Sequence, residues 1–401
     1  METWLHDWLS LLLRWAHFIT GVAWIGASFY FNWLENELER HAADDRITGE
    51  LWAVHGGGFY YLQKYRVAPD SLPTKLHWFK YEAYFTWLTG LGLLAVVYYW
   101  NPSLYLLRSG PNVLNGWQAV TLGVVTLVAS WLIYDGLCRS PLRQRPLLLA
   151  LCILGWFTLL AWGLSEVFSG RAAYLHVGAA IGTVMVANVA HVIIPAQREL
   201  VAAVAEGRRA DAARGEGALL RSRHNNYLTL PVLFLMISNH YPATYGHAHS
   251  WLILLVFSLA AVGIRHWFNI RHLPRDDPRR ARWVLPASLL LMLALIAATL
   301  PWPSGAGAAR DAKWDASPGT AAIMPVVAAR CSGCHAAEPG FEGFAEAPLG
   351  VVLETVEQVE AQAARIHQMT VATPTMPPGN LTGMTPEERD LLDRWYRGRS
   401  R

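Results

Sequence analysis

Eight apolar runs, most of them close to 20 residues long, decide what this chain can fold into. A helix rises 1.5 Å per residue, so such a run matches the roughly 30 Å hydrocarbon core of a bilayer. The expected spans are 8–33, 77–100, 116–138, 146–165, 172–194, 226–240, 249–266 and 283–300. Charged residues make up 16% of the chain, below the quarter usual in soluble domains. Trp4, Trp8, Tyr98, Tyr99, Trp100, Trp251 and Trp283 gather at the run ends, as interfacial aromatic belts do. The run 226–240 is the weakest, being short and holding Pro231. Met1–Trp8 has no basic segment and no small-residue cleavage site after it, so the first run is expected to stay in the membrane.

The connecting loops alternate in charge. Loop one carries Arg40, Arg46, Lys64, Arg66 and Lys75; loop three carries Arg139, Arg143 and Arg145. Loop five carries Arg198, Arg208, Arg209, Arg214, Arg221 and Arg223, and loop seven Arg271, Arg275, Arg279, Arg280 and Arg282. Loops two and four have only Arg108 and Arg171, and loop six has none. By the positive-inside rule the odd loops are cytoplasmic, which puts both termini outside. The expected location is a bacterial inner membrane, crossed several times, with lipid as the main partner. A net charge of +3 says little by itself, and no nucleic-acid partner is expected.

Past Leu300 the character changes. Residues 301–320 are rich in Pro, Gly, Ala and Ser and read as a linker, leaving 1–300 as a membrane domain and 321–401 as one small domain. That small domain contains Cys331-Ser332-Gly333-Cys334-His335. In this pattern two thiols add across the vinyl groups of a haem and the adjacent histidine ligates the iron. Positions i, i+3 and i+4 share one face of a helical turn, so one turn can do all three jobs. A metal knuckle would need a second ligand pair, and no other cysteine lies in this domain; Cys138 and Cys152 fall in or beside apolar runs and read as packing residues. A covalent haem c is therefore expected, carried outside the membrane. Its second iron ligand comes from Met369, Met376, Met384 or His367. Met376 is preferred, because Pro377 and Pro378 stiffen its loop, and His/Met ligation would raise the potential. Thr385-Pro386-Glu387-Glu388 reads as a capping box, with Leu391, Leu392 and Trp395 forming one face of a last helix. The fold class expected is all-α: an eight-helix membrane domain followed by a cytochrome c domain of class I type.

Ionisable groups inside a bilayer are costly and often functional. His176, His240, His247 and His249 fall toward the outside and His17 lies in the first span nearer that face, while His77, His191, His224 and His266 fall toward the cytoplasm. Glu82, Asp135, Glu166 and Arg265 join them. His176 and His191 share one helix, about 22 Å apart along its axis. Paired histidines at two depths are similar to those of membrane b-type haem proteins, so His17, His176 and His240 are candidate ligands of a haem b. Interfacial histidines that merely hydrogen-bond at headgroup level are the blander reading.

Three segments carry a resemblance to a known family. They are Arg14-Trp15-Ala16-His17 through Gly21–Phe29, then Ser222–Pro231, and Met236–Pro242. With eight spans and a C-terminal cytochrome, the chain resembles the bacterial membrane-bound, cytochrome-c-containing urate oxidases (urate hydroxylases). The resemblance covers essentially the whole chain. It implies oxidation of urate to 5-hydroxyisourate, with electrons leaving through the haem to a soluble cytochrome c or terminal oxidase instead of reducing oxygen to peroxide. Such a site needs cationic or amide donors for the urate anion and a base for its protons. The cytoplasmic cluster of His191, His224, Asn225, Asn226 and Arg265 is the preferred place, with His191, His224, Asn225 and Arg265 as candidate catalytic residues. The outer cluster around His176 and His240 lies nearer the cytochrome, and the sequence does not decide between them. Two other classes stay open: a non-catalytic electron-transfer subunit between quinol or a dehydrogenase and an oxidase, and a transporter with an appended cytochrome.

Overall fold

A computed structural model describes residues 2–40, 45–108, 114–273, 277, 279–300, 318–341, 344 and 346–399. The bulk of the expected linker 301–320 lies outside the described residues. Helices dominate. The long ones are α1 (Glu2–Glu37), α2 (Tyr81–Leu93), α4 (Gly116–Arg139), α5 (Pro146–Val167), α6 (Gly170–Asn188), α8 (Ala212–Ser238), α10 (Ser250–Ile270) and α11 (Val284–Ala298). Each expected span coincides with one of them. Trp4–Glu37, Gly116–Arg139, Pro146–Val167, Gly170–Ala205 and Ser250–Ile270 are long and apolar enough to cross a membrane, and α11 is a shorter apolar helix. Large apolar side chains stand exposed on their outer faces, among them Leu11, Trp15, Phe18, Leu132, Leu151, Leu290 and Leu293, as lipid-facing positions do.

Two of the long helices run on through π-helical turns. Leu94–Tyr99 extends α2, and Val189–Ile193 joins α6 to α7 (Ile194–Ala205). Such wide turns rotate the side chains that follow and often sit at functional places. α8 is longer than its apolar run. Asp211 caps it by accepting from the Ala213 backbone N–H at 3.0 Å, and an arginine-bearing stretch precedes the apolar part. α6 lies at the centre of the bundle, with Ala172, Ala180 and Val184 fully buried.

The first loop holds regular structure that its apolar pattern does not announce: an antiparallel hairpin, β1 (Ile47–His55) and β2 (Gly58–Tyr65). Gly56 and Gly57 form its two-residue turn at φ +58° and +80°, the positive values such turns require.

Short helices α3 (Pro102–Tyr105) and α9 (Pro242–Tyr245) lie at one end of the bundle. The C-terminal segment sits against that end, here called proximal: α3 meets residues 378–380, and a Cβ on Gly246 would come within 2.6 Å of the Thr373 carbonyl. This segment has its own buried cluster, including Ile323, Val327, Leu353, Val359, Leu392 and Trp395. It is built from α12 (Thr320–Arg330), α13 (Val356–Ala361), α14 (Ala363–His367) and α15 (Pro386–Gly398). Thr385 and Glu388 form the capping box of α15, with the Glu388 backbone N–H donating to Thr385 Oγ1 at 3.3 Å.

Candidate functional site

The distal half of the bundle contains two polar clusters, side by side. Asn225 and Asn226 are neighbours on α8, so their side chains leave the helix about 100° apart. Asn225 turns toward α4 and α6. There Asn188 Nδ2 donates to Asn225 Oδ1 (2.8 Å) and to Tyr134 Oη (3.0 Å), and Asn225 Nδ2 donates to the Met185 carbonyl (2.9 Å). Tyr134 Oη lies 2.7 Å from His224 Nδ1. Arg221 donates to Asn188 Oδ1 (3.2 Å) and pairs with Asp135 (2.6 Å), which Arg139 also reaches. His191 is exposed and lies beside this cluster, its ring 5.8 Å from that of Trp131. The cation here is neutralised and the amides are paired.

Asn226 turns the other way, toward α10 and α1. Arg265 Nε donates to Asn226 Oδ1 at 3.0 Å, and Asn269 Nδ2 donates to the same oxygen at 2.9 Å. The guanidinium lies over the Phe29 ring, 4.2 Å from its centroid. Asn226 Nδ2 is buried without a partner. Arg265 is only 8% exposed, and no carboxylate among the described residues pairs with it. One position on, Tyr227 Oη lies 2.7 Å from His266 Nδ1. Arginine, amide, aromatic face and imidazole thus converge in two adjacent rungs between α8 and α10. The expected cytoplasmic cluster is therefore two clusters: Arg265 and Asn226 in this one, His224 and Asn225 in the other, with His191 beside the latter. Phe29, Tyr227 and His266 complete the second, and only helical phase, which needs the neighbouring helices, could have brought them in.

Toward the proximal end, α1, α2, α6, α8 and α10 line a half-open cavity of about 920 Å³, with Phe18 and Ile237 exposed at its rim. His17 and His240 both line it; His176 does not. His176 is fully buried, its Nδ1 2.8 Å from the Ala172 carbonyl and its Nε2 3.0 Å from Tyr99 Oη. A Cβ at Gly123 would come within 2.9 Å of that Nε2, so glycine makes room for the ring.

In the C-terminal segment α12 ends at Arg330, and Cys331–His335 form one further turn. His335 N–H donates to the Cys331 carbonyl at 2.9 Å and Cys334 N–H to the same oxygen at 3.1 Å. Both cysteines are free thiols. Burial pushes the Cys331 thiol up to about 11 and raises Cys334 as well. His335 Nδ1 lies 2.8 Å from the Val351 carbonyl. That oxygen can only accept, which fixes the proton on Nδ1 and leaves Nε2 as the free donor atom for a metal. The residues thus fit a covalently held haem.

The four downstream candidates separate. His367 Nε2 is 2.7 Å from Asp393, and its ring stacks on Tyr396 at 4.3 Å. Met384 is buried in the core at 3% exposure. The Met369 sulfur lies 3.7 Å from Thr375 Oγ1. Met376 is held through its backbone, its N–H donating to the Met369 carbonyl (2.9 Å) and its carbonyl accepting from Arg389 (3.0 Å), and its thioether carries no such contact.

Fold and sites together define a multi-pass helical membrane protein with two buried polar clusters and a CxxCH-bearing C-terminal segment. The urate oxidase N-terminal family matches residues 3–300. The chain belongs to that family, which ties its helical part to urate and to oxidoreductase chemistry. No curated protein and no solved structure matches the chain.

Proposed function

We propose that this protein oxidises urate to 5-hydroxyisourate inside the helical bundle and delivers the electrons to a haem c on residues 321–401. The balance is urate + H2O → 5-hydroxyisourate + 2H⁺ + 2e⁻. The observation that carries the reading is Arg265, a buried cation with no carboxylate partner among the described residues, in a chain of the urate oxidase N-terminal family. An unneutralised arginine at that depth is costly unless an anion completes it.

In this reading the guanidinium holds the urate anion through its free nitrogens, a geometry arginine is suited to. The orphan Asn226 Nδ2 donates to a purine carbonyl or ring nitrogen, and Phe29 offers a flat face beside them. His266, its Nδ1 2.7 Å from Tyr227 Oη, is the proton acceptor. The buried network of His224, Asn225, Asn188 and Tyr134 braces the wall that separates α4 and α6 from this site.

Cys331 and Cys334 would hold the haem by thioether bonds, with His335 and Met376 on its iron. When bound it supplies a one-electron acceptor of raised potential that passes electrons to a soluble cytochrome or terminal oxidase. Arg139, Arg143, Arg145, Arg208, Arg209, Arg271, Arg279 and Arg280 gather at the distal end, which supports a cytoplasmic distal face and an outer, periplasmic haem segment. Urate then enters from the compartment where purines are degraded.

The test is to add urate under argon to membranes holding the oxidised protein and record the haem α band. Reduction is expected in the wild type and not in Arg265→Gln, while dithionite reduces both. A wild-type haem that stays oxidised would leave the chain an electron-transfer subunit with a different donor.

A further inference from the structure

The large cavity between the two ends has no role in this scheme, yet its lining is that of a built site. Its volume of about 920 Å³ lies at the upper end of organic cofactor sites, about 300–1,000 Å³. Most of the wall is apolar, and its polar groups fall at two places. In the middle stands His17. Its Nδ1 lies 2.9 Å from the Thr86 carbonyl and 3.1 Å from Thr89 Oγ1, and Thr89 Oγ1 already donates to backbone carbonyls. The proton is therefore on Nδ1, and Nε2 keeps a lone pair with no partner. This is the tautomer of a metal-ligating histidine, oriented through its other ring nitrogen by a backbone oxygen. Gly90 lies flat against the ring, where a Cβ would stand 3.1 Å from His17 Cε1. Gly21 and Gly182 leave the facing walls smooth.

At the proximal end of the same cavity stand Arg14 and Arg171. No acid among the described residues pairs with either. Arg171 Nε is buried without a partner, and so is the hydroxyl of Tyr98, which is 3% exposed and lies beneath the Arg171 guanidinium. Arg14, exposed and donating to Ser10 Oγ at 3.1 Å, and the partly buried Arg171 bring two cations without acids among the described residues to the two orphaned buried donors. They call for a ligand with more than one carboxylate at one edge and an apolar body that reaches His17.

We propose that this cavity is a non-covalent haem site, with His17 Nε2 on the iron and Arg14, Arg171 and Tyr98 on the two propionates. A quinol could donate to the His17 lone pair but has no anion for the two arginines, and a lipid phosphate could meet the arginines but leaves the imidazole lone pair without a partner; a haem meets both. The position is informative. Ile25 and Ile264 line the distal floor, one helical turn from Phe29 and one residue from Arg265. The proximal end lies where the C-terminal segment docks. From Arg265 to Ser250 the bundle measures about 22 Å along α10, a gap that a mid-membrane haem divides. The relay role rests on the urate reading, whereas the site itself does not. With two ferric haems in one chain, the two electrons released per urate reduce each iron once, and both then leave to an external ferric cytochrome or terminal oxidase.

Acid–acetone extraction of the detergent-purified full-length protein tests the site, because covalent haem stays with the polypeptide and non-covalent haem is released. One extractable haem per covalent haem is expected. His17→Ala should lower extractable haem about tenfold or more with covalent haem unchanged. Gly182→Leu, which fills the cavity without touching His17, should do the same, and both variants should elute as monodisperse protein. Wild-type protein that yields no extractable haem, or only quinone or phospholipid, overturns the proposal, as does full haem retention in a monodisperse His17→Ala or Gly182→Leu protein. The two readings fail separately. Urate reducing covalent haem in a protein with no extractable haem removes this site alone, and an extractable haem that urate never reduces removes the urate reading alone.

Discussion

Replacing Arg265 with glutamine should separate substrate binding from folding. Arg265 donates one hydrogen bond to Asn226 at 3.0 Å and lies over Phe29 at 4.2 Å. Losing them costs about 1 kcal/mol for the bond and about 0.5–2 kcal/mol for the ring contact. Against this, the substitution removes a buried charge with no carboxylate partner, whose dehydration costs several kcal/mol. The variant should therefore be at least as stable as the wild type. Urate binding moves the other way. Two charge-assisted hydrogen bonds at about 1.5–3 kcal/mol each amount to about 3–6 kcal/mol, and at 1.4 kcal/mol per tenfold kcat/KM should fall about 10²- to 10⁴-fold. The assay is urate consumption followed by absorbance with an external ferric acceptor, alongside thermal unfolding in detergent. An unchanged kcat/KM would refute the anion role. A large drop in Tm would show instead that Arg265 is a structural brace.

Four further outcomes follow from the same geometry. Asp135→Asn strands Arg221, a side chain only 6% exposed, and should cost about 3–5 kcal/mol, read as a lowered Tm with urate KM little changed in the protein that remains folded. Met376→Ala should lower the haem potential and leave the haem covalently attached, which redox titration and a denaturing gel stained for haem will check. Cys334→Ala should weaken covalent attachment and uncouple urate loss from respiration, so unchanged oxygen uptake by membranes would contradict the route. The Glu388 carboxyl feels burial, which would raise it, but its hydrogen bonds to Arg330 outweigh this and hold it below its ordinary 4.5. A depressed folded value means that stability is present above pH 4.5 and lost as pH falls through the folded value. Glu388→Gln should therefore lower Tm at neutral pH by the equivalent of about 1–3 kcal/mol and flatten the acid limb of the Tm profile.

The spans were legible because period and length are local properties: each of the eight apolar runs coincides with a helix. What the runs could not report was extension beyond them. α8 begins at Ala212 under an Asp211 cap, and its arginine-bearing first turns are too polar to read as span. The hairpin 47–65 has a weak local signal, since burial alternates over only part of each strand, and the glycine turn Gly56-Gly57 is its clearest mark. The distal site was legible residue by residue but not in its grouping. Asn225 and Asn226 look equivalent in the sequence, yet one turns to Asn188 and the other to Arg265. That split depends on which helix stands on each side of α8, information that sequence spacing does not hold. His176 resembled a ligand as much as His17 did, and the difference is that both its ring nitrogens already face oxygen atoms of the bundle. CxxCH was the reverse case, since three residues in one turn carry their geometry with them.

In the proposed route water, and not oxygen, supplies the new atom of the product while electrons leave through the chain. Turnover of urate under argon in ¹⁸O-labelled water, with a ferric cytochrome as acceptor, tests this most directly. One labelled oxygen in 5-hydroxyisourate, two acceptors reduced per urate and no peroxide are expected. An absolute need for oxygen, with peroxide formed in proportion to urate lost, would contradict it.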